Sequence, residues 1–175
     1  MVNEPQVKKS SSYTVASDAT KPPIRQAVKK AEQWLFDLDS ETADRLWQTW
    51  IKAMGENGEF GEIFYQQLFQ AHPALVALFP GDMSLQQSRL VKTLGEAVEL
   101  VRAPERLILL LQAAGVRHYH YHVQQKHFAL MEQVLIDTLV LRLGTLFQAE
   151  DAAEWRRFFQ CMAIIMRHSM ATTTH

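Results

Sequence analysis

Apolar residues recur every third or fourth position along most of this chain, and glycines and prolines cut that pattern into short blocks. A period near 3.6 puts those side chains on one face of a helix, whereas a half-buried strand would alternate. No alternating run, hairpin signal or internal repeat competes with the helical reading. The chain reads as seven or eight helices joined by short connections, an all-α fold. Helix number alone does not choose between a bundle and other helical packings.

The first block runs from Ile24 to Leu38, with Ala27, Ala31, Trp34, Leu35 and Leu38 at helical spacing. Its narrow apolar face implies docking on a larger body. Asp39-Ser40 is a cap signal with Glu41 and Asp44 in the following turn, and that helix reaches Met54 on Leu46, Trp47, Trp50 and Met54 before Gly55 stops it. Asn57 can cap a helix carrying Phe60, Ile63, Phe64, Leu68 and Phe69 to Ala71, where His72-Pro73 ends it, because the residue before proline avoids the α region. A turn over Ala74 to Phe79 leads to the breaker Pro80-Gly81. Asp82 or Ser84 starts a helix to Val101 built on Leu85, Leu90, Leu94, Val98 and Val101. Pro104 opens the next, where Leu107 to Ala114 is apolar enough to predict burial on most sides. A helix follows over Gln124 to Leu143, ended by Gly144. The last starts at Glu150 or Asp151 and runs to Met170 on Trp155, Phe158, Phe159, Met162, Ile165 and Met166. Residues 1–22 are rich in Ser, Thr and Lys and read as a disordered tail, with Pro22-Pro23 as its boundary. The organisation expected is therefore a tail over 1–22, a preliminary helix over 23–39, one domain over 40–171 and a fraying end over 172–175.

The 175 residues suffice for one domain, and an apolar fraction of 47% fills its core. A net charge of −1 gives no whole-molecule field for nucleic acid or an anionic membrane. The lone Cys161 excludes a disulfide framework, and its apolar surroundings read as those of a buried, inert thiol. With no apolar run of membrane-spanning length and no signal-peptide core, a cytoplasmic location is the expectation.

Chemistry concentrates in Arg117-His118-Tyr119-His120-Tyr121-His122-Val123, where three of the seven histidines fall within five residues. No Gly-rich phosphate loop, His-Glu-x-x-His motif or placed nucleophile occurs. His118 and His122 at i, i+4 could share a helix face toward zinc, but no carboxylate lies close in sequence to complete the site. A flat apolar cofactor with one axial imidazole fits better: it needs a His at a helix end and a crevice of Phe, Leu, Val and Met.

Spacing then becomes specific. Gly61-x-x-Phe64-Tyr65-x-x-Leu68-Phe69-x-x-His72-Pro73, followed by Leu78-Phe79-Pro80, resembles the second and third helices of a globin. So do Gln86-x-x-x-Leu90, Gly115-x-Arg117-His118-x-x-Tyr121-x-Val123 with His127-Phe128 after it, and Trp50 ahead of Gly61. The resemblance covers residues 41–170 and is closest to bacterial single-domain globins and the haem domain of flavohaemoglobins. It implies a globin fold, helices A–H with a short or absent D, here with an extra N-terminal helix before helix A.

The same resemblance implies haem b (iron protoporphyrin IX) with His118 as the iron ligand. Phe79 matches the phenylalanine that packs flat on the porphyrin, and Leu90 the distal apolar residue. Val123, Phe128 and Met131 fall at wall positions, and Arg89 where a basic residue meets a propionate. Tyr65 and Gln86 match the two distal polar positions, whose O–H and N–H would stabilise the partial negative charge of bound oxygen. No distal histidine occurs, so the sixth position stays open to O2, CO or NO. His120 faces away if its helix continues. His122 stands where the family usually has glycine, and reads as solvent-exposed. Flavohaemoglobins place a Tyr–Glu pair behind the proximal histidine; the matching positions here are Phe128 and Met170, which cannot hydrogen-bond it. The implied function is reversible, high-affinity oxygen binding, of the storage or oxygen-transport kind. Two alternatives remain: NO dioxygenation fed by an external reductase, and a gas sensor acting through a partner or dimer, suggested by the extra first helix.

Overall fold

The computed structural model describes residues 24–55 and 59–173. Its elements are α1 (Ile24–Phe36), α2 (Ser40–Met54), α3 (Phe60–Ala71), α4 (Met83–Glu99), α5 (Pro104–His120), α6 (Gln125–Leu143) and α7 (Ala149–Thr172). Tighter 3-10 segments occupy Pro73–Leu78, Leu100–Arg102 and Gly144–Leu146. Among the described residues there is no strand, and no helix intervenes between Leu78 and Met83, where a D helix would lie. The tail over 1–22, Pro23, Asn57 and the last two residues lie outside the described residues.

Cap chemistry set most boundaries where the sequence placed them. The Asp39 carboxylate accepts from the Thr42 N–H at 2.7 Å, and Asp82 from the Ser84 N–H at 2.8 Å, so Asp82 rather than Ser84 starts α4. At α7 the cap is Gln148, whose N–H donates to Asp151 at 2.8 Å, so the helix starts at Ala149, just before the Glu150 or Asp151 start read from the sequence. Thr172, expected to fray, is the last helical residue.

One end of the molecule is a closed aromatic core. Trp50 meets Phe60 edge-on at 5.1 Å and lies 6.1 Å from Trp155, which in turn meets Phe158. The buried Trp155 Nε1–H donates to Thr49 Oγ1 at 2.7 Å, and that hydroxyl donates to the Arg45 carbonyl at 2.8 Å, so the polar atoms inside this core are satisfied. α1 lies across α7 through Val28, Ala31 and Leu35. Val28, not Ala27, faces inward, because its place one turn before Ala31 and two before Leu35 follows the stripe.

α5 departs from its expected burial on most sides. Leu109 is 66% exposed, and Gln112 and Ala113 are exposed too. The helix packs on α7 through one face, made close by Gly115: a Cβ there would stand 2.8 Å from Ser169 Cβ and 3.0 Å from Met166 Cα. α4 packs instead on α3 and α2, and it meets α5 through little beyond the Leu100–Arg102 turn. The two helices that carry Gln86, Leu90 and His118 are thus not a packed pair.

Candidate functional site

α5 continues through the histidine stretch as far as His120, which puts His118 in its last turn with its ring half-buried. His118 Nδ1 lies 2.7 Å from the Ala114 carbonyl oxygen. A carbonyl only accepts, so Nδ1 carries the proton and donates, leaving Nε2 with its lone pair. Nε2 has no hydrogen-bond partner among the described residues. Burial pushes the His118 pKa down from its ordinary value, the Ala114 bond opposes this, and the neighbouring Arg117 charge adds to the lowering. The result is a neutral, oriented imidazole, the form that ligates a metal.

Phe128, at the start of α6, stacks on the His118 ring at 5.9 Å with the planes 21° apart. The position that could have supplied a phenol to the imidazole therefore supplies a flat apolar face. Met170 is half-buried on α7 and likewise offers no acceptor. The second bond of the imidazole goes to backbone instead, a partner that sequence matching missed and the i−4 spacing of Ala114 could have signalled.

His122 resolves in an unexpected way. Its φ is +57°, the only positive φ at a non-glycine residue among those described. The backbone keeps the left-handed conformation that glycine would adopt, and histidine is among the side chains that tolerate it best. This turn lets the Val123 N–H reach back to the His118 carbonyl at 3.1 Å. His122 therefore leaves the helix and is exposed, as is His120, so the pairing of His118 with His122 toward zinc fails. No group of three or more metal-ligating side chains occurs among the described residues. The remaining neighbour, His127, is buried and caps α6: its Nδ1 accepts the Gln124 N–H at 3.1 Å. Sequence reading had found no role for it, although His at the third position of a helix behind Gln has the spacing of a capping box.

Tyr65 sits on α3 in an aromatic cage. Its ring meets Phe64 at 5.4 Å, Phe69 at 5.7 Å and Phe79 at 5.2 Å. Tyr65 is 5% exposed and its hydroxyl has no protein partner among the described residues. Burial raises the phenol to about 12, so it remains an O–H donor at any physiological pH. Gln87 is committed to the crossing of α4 on α3, where a Cβ on Gly61 would stand 3.0 Å from both Gln87 Cβ and its carbonyl oxygen. Gln86, one position away, is half-buried with an unpartnered amide. Phe79 and Leu90 are half-buried against the core, as are Val123 and Met131. Arg89 is exposed and makes no ion pair among the described residues.

These parts fit a haem. One free imidazole nitrogen, aromatic and aliphatic walls, and two unpartnered donors form the set such a group requires, whereas a bare cation would lack ligands. The globin family profile matches residues 62–166, more than half of the chain, and the chain belongs to that family. In fold it is similar to a solved hexacoordinated heme protein from an anhydrobiotic tardigrade, with a TM-score of 0.70, 17% identity, and coverage of 78% of this chain and 97% of that one. No curated protein matches the sequence. No helix among the described residues is long and apolar enough to cross a membrane.

Proposed function

We propose that the protein is a haem-b globin that binds oxygen reversibly and tightly, with His118 as the iron ligand and Tyr65 and Gln86 as donors to the gas. The observation that carries this reading is the set of groups without protein partners among the described residues, His118 Nε2 on α5, the Tyr65 hydroxyl on α3 and the Gln86 amide on α4. Haem would supply an iron with one position open to O2, CO or NO. The Ala114 carbonyl holds the proton on Nδ1 and so keeps Nε2 aimed as a ligand. Phe79 and Phe128 exclude water and offer flat surfaces, while Leu90, Val123 and Met131 complete the wall and Arg89 takes a propionate. Tyr65 donates to negative charge on the gas and slows its escape; Gln86 adds a second donor. The tardigrade protein's hexacoordination is not carried over, since a glutamine amide is a poor iron ligand.

Absorbance spectra of haem-reconstituted protein, with and without CO, test the reading. A five-coordinate ferrous spectrum that changes with CO is expected, and one that survives His118→Ala unaltered would refute the ligand assignment. The same two donors also support NO dioxygenation with an external reductase, and turnover of NO to nitrate under re-reduction checks it; the apolar Phe128 and Met170 argue against peroxidase-like activation. A sensor role draws on the packing of α1 on α7 and of α7 on α5, which links the first helix to that of His118. Unchanged assembly on ligand binding would count against it.

A further inference from the structure

The net charge conceals a segregation. Residues 83–95 and 106–131 contain Arg89, Lys92, Arg106, Arg117 and Lys126 and no Asp or Glu. With −1 on the whole chain, these five positive charges leave −6 on everything else. All five side chains are exposed, and none has a carboxylate partner among the described residues. Elsewhere Arg45, Arg102, Arg142 and Arg156 each pair with a carboxylate, while Arg25, Lys29, Lys30, Lys52, Arg157 and Arg167 do not among the described residues, so what sets these segments apart is the absence of acids along them. The two acid-free segments are the stretches of α4, α5 and α6 that carry Gln86, Leu90, His118 and Phe128. They also expose Tyr119 and Tyr121, the kind of flat aromatic surface that protein interfaces favour. The nineteen carboxylates of the chain all lie outside these stretches of α4, α5 and α6.

We propose that this acid-free rim docks the acidic face of a one-electron donor protein, which reduces the iron held by His118. The inference rests on the haem-binding reading above. In the redox step the donor loses one electron and ferric iron gains it, with no covalent bond made or broken. Propionates would neutralise part of the rim and leave the rest for a partner. A protein partner fits better than a polyanion or a membrane. Its footprint stays within the rim, whereas DNA or a lipid surface would extend beyond it and meet the −6 of the remaining surface within a Debye length of about 10 Å.

The test uses the full chain and an acidic [2Fe–2S] ferredoxin as the probe. Binding of the oxidised ferredoxin is followed by calorimetry at low salt, on both the haem-loaded and the haem-free protein. Lys92→Glu with Lys126→Glu should weaken binding at least tenfold, and added salt should do the same to the parent, while Lys30→Glu with Lys52→Glu changes it less than twofold. On the haem-loaded chain, reduction by the ferredoxin should slow in parallel, with reduction by an uncharged hydroquinone unchanged. Equal weakening by both double reversals would reduce the effect to net charge and overturn the proposal. So would no weakening, or reversal-sensitive binding of phosphatidylserine vesicles or duplex DNA in place of the ferredoxin. A chain that takes up no haem would sink the haem-binding reading, and the binding arm would still decide the rim.

Discussion

The Trp50–Trp155 end and the candidate site are built from similar residues and treat polar atoms in opposite ways. In the closed core the Trp155 N–H and the Thr49 hydroxyl both find partners, and the buried Thr138 hydroxyl bonds the Val134 carbonyl at 2.7 Å. At the candidate site, His118 Nε2, the Tyr65 hydroxyl and the Gln86 amide find none among the described residues. Among the described residues the one fully buried side-chain nitrogen or oxygen without a partner is His168 Nδ1 on α7. The three groups at the site are reached by solvent, so leaving them unpaired by protein costs the fold little, whereas an unmade bond in the closed core would cost about 1–3 kcal/mol. The contrast separates polar atoms whose partners are inside the protein from polar atoms left free to meet solvent or a ligand.

Breaking the closed end should have the largest effect. Trp155→Ala should destabilise by about 4 kcal/mol in urea unfolding, since it removes a fully buried indole and strands Thr49. Thr49→Val should cost about 2 kcal/mol by the same measurement, because it leaves the Trp155 N–H buried without an acceptor. At the edge of the site, His122→Gly should stabilise by about 1 kcal/mol, read from the denaturation midpoint, as it removes a side chain from a φ of +57°. A loss of stability there would mean that the imidazole makes a compensating contact.

A pH effect should follow from His127, which burial holds below its ordinary value of 6.5, with Lys126 adding to the lowering. The unfolded chain takes up its proton first as pH falls below about 6.5, so stability should decline there and stay flat above it. His127→Glu, which keeps a capping acceptor, should remove part of that slope in melts run across the range. Smallest for stability and most telling for function is Tyr65→Phe. It should move unfolding by no more than about 0.5 kcal/mol, since no protein bond is lost. It should nevertheless speed oxygen release roughly tenfold in stopped-flow traces. Large destabilisation with unchanged release would return Tyr65 to the structural half of the comparison.

Much of this was legible in the residues alone. Periodicity and breakers gave the helices, because a 3.6-residue stripe and a proline or glycine stop are local physics, and Asp39 and Asp82 capped as their side chains dictate. The order and spacing of Gly61, Tyr65, His72-Pro73, Gln86 and His118 gave the family. Other features were decided only by the fold. Burial of α5 is one: Leu107 to Ala114 is apolar but for Gln112, yet packing on α7 uses one face and leaves Leu109 in solvent. The fate of three adjacent histidines is another. His118 became the bonded, oriented imidazole, His120 and His122 went to solvent, and the backbone at His122 kept a conformation better suited to glycine. Sequence spacing determines which side chains share a helix face. Only the packing of that helix against its neighbours decides which face is closed by protein and which is left open for a ligand.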